Sequence, residues 1–559
     1  MLLTVAILKI LLLTTTIQKC IAESEFITVQ TPLVGIKGLR METRLGQQFW
    51  SFRGIRYAEA PVGELRFKNP QPVKPWKPQN FDATRDGPMC PQVTVNRTWL
   101  SEDCLRLNVY TRSVNEKNDL KPVLVYLHPG GFSAFSAISA YAGPQYLMDR
   151  DLVLVTVNYR LASLGFMATG TADAPGNMGL KDQVIALRWI KENIEYFGGN
   201  PNVVTLWGYS SGSISVGLHM LSPMSRGLFH RAIMQSASPL AQFRYRPDQL
   251  ELAERQAKLL KCPTTPVNQM VKCMREKPML SFVDTMEQMF ELEWVPGLNW
   301  MPVVEPNAGQ ERFLLEDPYK TMLNGNINRV PLIAGVTEYE FYYSGYYTLR
   351  NDTQRQRFNR DFEKYLPIYF FYERDTPKSH SISQAMRSFY FQNKSLEFPQ
   401  SLTSFGKMFT DLMCFEYHRF VEMISKYVPV YSYFFRYVGR YSHFRDPVTN
   451  RTYGAMHHDE LWYLFYVPLA TPMFSTTDPE NNTVERLTRI WQEFAQKGDP
   501  NSKTDKYLKH IKWPIYDLDK RQYLEIGNEL NIKSNGIYPE RMELWDRLFP
   551  IEDMRNKEL

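Results

Sequence analysis

Phe197-Gly198-Gly199-Asn200-Pro201-Asn202-Val203-Val204-Thr205-Leu206-Trp207-Gly208-Tyr209-Ser210-Ser211-Gly212 decides how this chain is read. Val203 to Leu206 is a short β-branched and apolar run, the pattern of a buried strand. It runs straight into Gly208-x-Ser210-x-Gly212, and Ile214, Val216, Gly217 and Leu218 follow at helical spacing. Strand, tight turn and helix is the context that makes such a motif a nucleophile elbow. The turn holds the serine in a strained conformation with its Oγ exposed above the sheet. Glycines on both sides keep β-carbons from colliding where strand and helix meet. The bare motif also occurs as an ordinary Gly/Ser turn, so the flanking segments carry the inference.

A serine nucleophile of this kind needs an acid and a base further along the chain, in that order. Upstream, Val123-Leu124-Val125-Tyr126-Leu127 reads as another strand, ending in His128-Pro129-Gly130-Gly131-Phe132. Residues without side chains there let backbone N–H groups approach an oxyanion. With the N–H of Ser211 they would form an oxyanion hole, in which one donor contributes about 3–4 kcal/mol in comparable enzymes. Downstream, the strand Pro331-Leu332-Ile333-Ala334 leads to Gly335-Val336-Thr337-Glu338-Tyr339-Glu340. Gly454-Ala455-Met456-His457-His458-Asp459-Glu460-Leu461 then places a histidine on a loop before an apolar run. Each piece is weak alone; together and in order they are strong.

With these pieces in place, the chain resembles the type-B carboxylesterase/cholinesterase family. Two of that family's signatures are legible: the elbow, and Glu102-Asp103-Cys104-Leu105-Arg106-Leu107-Asn108-Val109-Tyr110. Phe52-Arg53-Gly54-Ile55-Arg56-Tyr57-Ala58, Asn158-Tyr159-Arg160 and Gly176-Asn177-Met178-Gly179-Leu180-Lys181-Asp182-Gln183 extend the similarity over nearly the whole chain. The resemblance implies an α/β-hydrolase fold: a large, mostly parallel central sheet flanked by helices, as one domain over residues 23–559. It implies a serine hydrolase that cleaves carboxylic esters through an acyl-enzyme. Ser210 would be the nucleophile, Glu340 the acid and His457 the base, with Gly130, Gly131 and Ser211 as oxyanion donors. Neither metal nor organic cofactor is implied, and the partner is a small-molecule ester.

Three positions depart from the commonest family pattern. Tyr209 stands where Glu or Gln usually precedes the serine, Ser211 replaces Ala, and Phe341 follows the acid where Gly is usual. Tyr209 and Phe341 make the site less anionic and more apolar, which favours neutral medium-chain or aryl esters over choline esters. Leu298, Trp300 and Met301 occupy the region that shapes the acyl pocket in the family. The aromatics from Phe341 to Tyr347 and from Tyr365 to Tyr372 read first as core, with a wall above the serine as the functional alternative. Glu338 is the rival acid and His458 the rival base; family spacing favours Glu340 and His457. The run His457-His458-Asp459-Glu460 is a poor metal site, because helical ligands are normally three or four residues apart.

Composition agrees with an ordinary globular protein: 44% hydrophobic and 22% charged residues, with no evident linker or repeat. No basic cluster interleaved with aromatics appears, which argues against a nucleic-acid partner. Residues 1–22 read as a signal peptide, with an apolar stretch from Ile10 to Ile17 and small residues at Cys20 and Ala22. The stretch is too short for a membrane anchor, and no later segment is long and apolar enough to span. Removing Lys9 and Lys19 with this leader takes the formal charge from +6 to +4.

The expected compartment is extracellular. Asn556-Lys557-Glu558-Leu559, sharing the terminal Glu-Leu of retention signals, offers the ER lumen as the alternative. Five glycosylation sequons, at Asn96, Asn351, Asn393, Asn450 and Asn481, agree with the secretory route. Five cysteines remain after the leader and allow fifteen frameworks with one odd thiol. The family resemblance favours Cys90–Cys104 and Cys262–Cys273, with Cys414 free. The same fold also hosts catalytically inactive adhesion and binding proteins, which typically lack a triad member; this chain keeps all three. A cholinesterase is disfavoured, because its cation site uses a Trp in the first disulfide loop, and here that loop is short, with Trp99 five residues before Cys104.

Overall fold

The computed structural model describes residues 25–75, 80–93, 96–116, 118–242, 245–292 and 298–551. The expected signal peptide at 1–22 and the Asn556–Leu559 tail lie outside the described residues. The architecture is built on a 13-stranded sheet. Its centre is parallel, running in the order Val153–Val157, Lys121–Leu127, Gly199–Tyr209, Arg231–Gln235, Leu332–Thr337, Val430–Phe435 and Tyr523–Ile526. Antiparallel strands finish both edges: Arg106–Thr111, Gln48–Arg56, Gly35–Glu42 and Phe26–Gln30 on one side, Leu530–Lys533 on the other.

The central strands are covered on both faces, which is why they read as continuous apolar runs rather than alternating ones. Successive residues of Lys121–Leu127 go to opposite layers. Val123, Val125 and Leu127 pack into one hydrophobic core, and Leu124 and Tyr126 into the other. The helix Met178–Asn193 and the helix that follows the elbow, Ser211–Leu221, contribute to the first layer. The amphipathic helix Asn481–Lys497 covers the second through Leu487, Ile490, Trp491 and Phe494. The strand leading to the elbow begins at Gly199, earlier than the Val203–Leu206 run, and reaches its parallel neighbour through a register shift between Gly199 and Val204.

Buried polar nodes account for several of the similar segments. Arg160 grips Asp182 through two charge-assisted bonds, Nε to Oδ2 at 2.8 Å and Nη2 to Oδ1 at 2.7 Å. Asn177 donates to Val303 O and to Glu305, and Lys181 pairs with the same Glu305. Asn108 accepts from Gly54 N and donates to Ala137 O, tying an edge strand to the loop beyond the Gly-Gly pair. Cys90 is bridged to Cys104 and Cys262 to Cys273; Cys414 is free and buried.

Among the sequons, Asn351, Asn393 and Asn450 are exposed and Asn96 is half-buried. Asn481 is also half-buried, and its Oδ1 accepts from Arg44 Nη1 at 2.9 Å. Among the described residues no helix is long and apolar enough to cross a membrane.

Candidate active site

The elbow is strained where the sequence requires it to be. Ser210 sits at φ 56° and ψ −122°, a conformation that non-glycine residues rarely adopt. Its N–H donates to Gln235 O at 2.8 Å, and its carbonyl accepts from Ile214 N at 3.0 Å. Those bonds lock the turn between strand and helix. A β-carbon at Gly208 would collide with the Gly212 carbonyl, and one at Gly212 with the Leu127 carbonyl. Both flanking glycines are therefore dictated by close backbone approach. Ser211 opens the helix Ser211–Leu221, where N–H groups lack intrahelical acceptors and the helix dipole favours negative charge.

The glycine loop lies against that helix start. Gly130 and Gly131 have φ of 113° and 58°, and the turn closes through Ser133 N and Ala134 N, both donating to Gly130 O. A β-carbon on Gly130 would run into the Ala134 carbonyl. Tyr159 pins the loop from behind: its OH donates to His128 O at 2.8 Å, and its ring stacks on His128 at 4.4 Å. Burial pushes the His128 imidazole down to about 4, so it stays neutral as a loop support.

Glu340 and His457 meet across two loops. His457 Nδ1 lies 2.5 Å from Glu340 Oε2, while Glu340 Oε1 accepts from Thr337 N at 2.7 Å. The loops are joined by Tyr339 N donating to Ala455 O at 2.8 Å. Glu340 is 0% and His457 1% exposed, so the pair is sealed from water on all but the cavity side. The rivals are placed differently. Glu338 turns outward to Arg436 Nη2 at 2.7 Å, and His458, though it lines the same cavity as His457, packs against His443 and Phe135. Burial, with His457 and His443 beside it, holds the His458 imidazole well below its usual range.

Asp459 and Glu460 are occupied with structure. Asp459 accepts from Met456 N at 2.9 Å and from Ser442 Oγ at 2.7 Å, fastening the histidine loop. Glu460 accepts from Tyr433 OH at 2.9 Å, and burial followed by the nearby Glu340 pushes it up to about 8. Among the described residues no three His, Cys, Asp or Glu side chains gather to hold a metal ion.

Ser210, Ser211, Gly130, Gly131 and His457 line one cavity of about 660 Å³. Its wall is largely apolar: Phe135, Ile214, Leu298, Phe341, Tyr343, Tyr347, Tyr369, Phe371, Phe409, Leu412 and Met413. Phe341 lies 4.4 Å from the His457 ring and covers it where a glycine would leave it open.

Two residues expected in the pocket are placed differently. Tyr209 is buried behind His457, 5.0 Å between ring centroids, and is not among the lining residues. Its OH accepts from His458 N at 2.7 Å and from Ser236 Oγ at 3.1 Å, so it braces the histidine loop from below. Trp300 is buried in the core, also off the cavity wall, and Trp99 is 45% exposed on the first disulfide loop, away from it. The stripe Phe409, Leu412, Met413 and Glu416, from the long helix Leu402–Ile424, lines the cavity without having been singled out in the sequence. Its only signal was a spacing that reads equally well as core.

Residues 25–545 match the carboxylesterase family. The chain is 33% identical over 515 residues to the juvenile hormone esterase of Tribolium castaneum, covering 88% of this chain and 86% of that protein. It is 35% identical over 477 residues to esterase FE4 of Myzus persicae, covering 82% of each. Among solved structures, juvenile hormone esterase from Manduca sexta with OTFP covalently attached superposes with a TM-score of 0.82 at 27% identity, covering 94% of this chain and all of that one. With a family match over nearly its whole length, the chain belongs to the carboxylesterase family and is a carboxylic ester hydrolase.

Proposed function

We propose that the enzyme cleaves neutral, apolar carboxylic esters through an acyl-enzyme formed on Ser210. The observation that carries this reading is the sealed Glu340–His457 pair opening onto the same cavity as the strained Ser210. An ionised carboxylate only accepts hydrogen bonds, so Glu340 fixes the proton of His457 on Nδ1. Nε2 is left with a lone pair for the Ser210 hydroxyl. As Oγ attacks the ester carbonyl, Nε2 takes its proton, and the resulting imidazolium is stabilised by Glu340. The carbonyl oxygen becomes an oxyanion, received by the N–H groups of Gly130, Gly131 and Ser211. His457 then returns the proton to the leaving alcohol, and a water activated by the same base releases the acid.

The apolar lining supports a neutral substrate, since each buried CH₂ contributes about 0.8 kcal/mol to binding. We also propose secretion: the two disulfides suit an oxidising compartment, and the leader and sequons point the same way. The test is turnover of p-nitrophenyl acetate combined with organophosphate labelling. Mass spectrometry should find the label on Ser210, with loss of turnover in proportion. An unlabelled Ser210 in a folded protein without turnover overturns the proposal.

A further inference from the structure

Glu416 is a carboxyl in an apolar wall. It is 2% exposed, lines the cavity that holds Ser210 and His457, and is the only acidic residue among the described residues lining it. It continues the helical stripe Phe409, Leu412, Met413, about 10 Å beyond Phe409 along the axis. The helix is fastened here: Ser238 Oγ donates to the Glu416 carbonyl at 2.7 Å, and the adjacent Ala237, itself on the cavity wall, accepts from Ser213 Oγ of the elbow helix at 2.6 Å. Glu416 therefore sits at the elbow end of the stripe. The nearby Tyr319 hydroxyl is committed to Leu240 O and Ala241 O.

Glu416 Oε2 is buried and has no hydrogen-bond partner. An unsatisfied buried carboxyl is costly and calls for explanation. Burial pushes the group up to about 8, against the Ser238 backbone N–H, which favours the ionised form. At neutral pH the side chain is a carboxylic acid. The cavity wall thus carries a carboxyl that burial holds toward its neutral form, one of whose oxygens has no partner in the protein.

We infer that Glu416 is a specificity-determining residue whose carboxyl donates a hydrogen bond to an acceptor oxygen carried by the ester substrate away from its scissile carbonyl. The inference rests on the reading of the cavity as the ester-binding site. The substrate class is a predominantly apolar ester bearing one ether, hydroxyl or carbonyl oxygen within its chain. A site built around a buried donor discriminates against an analogue that leaves the donor unpaired.

The experiment measures kcat/KM for p-nitrophenyl octanoate and for a series in which one chain CH₂, from the fourth carbon outward, is replaced by an ether oxygen. Wild type should prefer one oxygen position over its neighbours by about 10- to 100-fold. Glu416→Leu should abolish that peak, with each ether ester read relative to the all-carbon ester in the same variant. Glu416→Gln, whose amide still donates, should keep part of it. A flat or uniformly poorer ether series in wild type overturns the inference even if Glu416→Leu fails to fold, as does an unchanged peak in Glu416→Leu. Absence of turnover with every ester instead overturns the reading of the site itself.

Discussion

Replacing Glu340 by Gln tests the acid–base pair at the point where the geometry is most explicit. Thr337 N donates to Oε1 at 2.7 Å, and His457 Nδ1 lies 2.5 Å from Oε2. In Glu340→Gln the Thr337 N–H continues to require an acceptor, so the amide carbonyl takes the Oε1 position. The NH₂ group must then face Nδ1, which can receive it only as the lone-pair nitrogen. The imidazole proton moves to Nε2, and the base loses the lone pair that Ser210 needs. The imidazolium also loses its carboxylate in a fully buried site.

In a comparable triad the same exchange lowers kcat by about 10⁴, which corresponds to about 5.5 kcal/mol of transition-state stabilisation. The assay is kcat/KM on p-nitrophenyl acetate. Circular dichroism and thermal unfolding of the variant would exclude loss of fold. Glu338→Gln is the control: its partner Arg436 is half-exposed, and an ion pair of that kind contributes about 1 kcal/mol at most. A Glu340→Gln enzyme within tenfold of wild type would refute the reasoning, and a collapse of Glu338→Gln would move the acid to Glu338.

Three further outcomes are expected. Glu460, held up at about 8 in the folded protein against 4.5 ordinarily, keeps its proton over a range in which the unfolded chain releases it. Wild type therefore loses about 1.4 kcal/mol of stability per pH unit through this group as pH rises from about 5 to 8. Glu460→Gln lacks that loss, so its melting temperature should gain on wild type across the interval, and parallel profiles would contradict the assignment.

Butyrylthiocholine should be a poorer substrate than an uncharged thioester of matched acyl chain by at least about tenfold in kcat/KM, since among the described residues no ionised carboxylate faces the cavity to attract the cation. Burial holds Glu416 up at about 8, Tyr209 is buried and Trp99 is remote; a preference for the choline ester would reveal a cation site. Glycan occupancy, read by mass spectrometry after enzymatic deglycosylation in heavy water, should be high at the exposed Asn351, Asn393 and Asn450 and low at Asn481. The Asn481 side chain is engaged by the buried Arg44, and full occupancy there would show that this contact opens before the chain folds.

The parallel centre of the sheet was legible because its strands are buried on both faces. Val123–Leu127, Val203–Leu206 and Pro331–Ala334 carry runs of apolar or β-branched residues that mark a strand without help from context. The antiparallel edge was not legible. Gly35–Glu42 and Gln48–Arg56 mix buried and exposed positions with glycines and charges, so neither shows a continuous apolar run; they pair with each other across a short turn, and Gln48–Arg56 also meets a distant partner, Arg106–Thr111. The elbow turn and the glycine loop were legible because they are local. Each depends on a few adjacent residues whose backbone permits little variation, as the collisions facing a β-carbon at Gly208, Gly212 or Gly130 demonstrate.

The pocket was harder to read because its wall is assembled from distant segments. Tyr209 is instructive, since a usable signal existed. Side chains two apart on a strand share a face, so Tyr209 belongs with Trp207, in the layer packed by Phe465 and Trp491. Adjacency to Ser210 along the chain suggested the cavity, but strand periodicity assigns Tyr209 to the opposite side. Its hydroxyl reaches the histidine loop from there through His458 N. The residue that stands where Glu or Gln usually precedes the serine therefore acts by supporting the histidine loop. Glu416 had no comparable signal. A single acid at the end of an apolar helical stripe reads as the polar boundary of a buried face, and only the loops that close over the sheet turn that boundary inward. The cavity wall is accordingly a product of long-range packing, whereas the elbow and the glycine loop are written in short segments that backbone geometry leaves little room to vary.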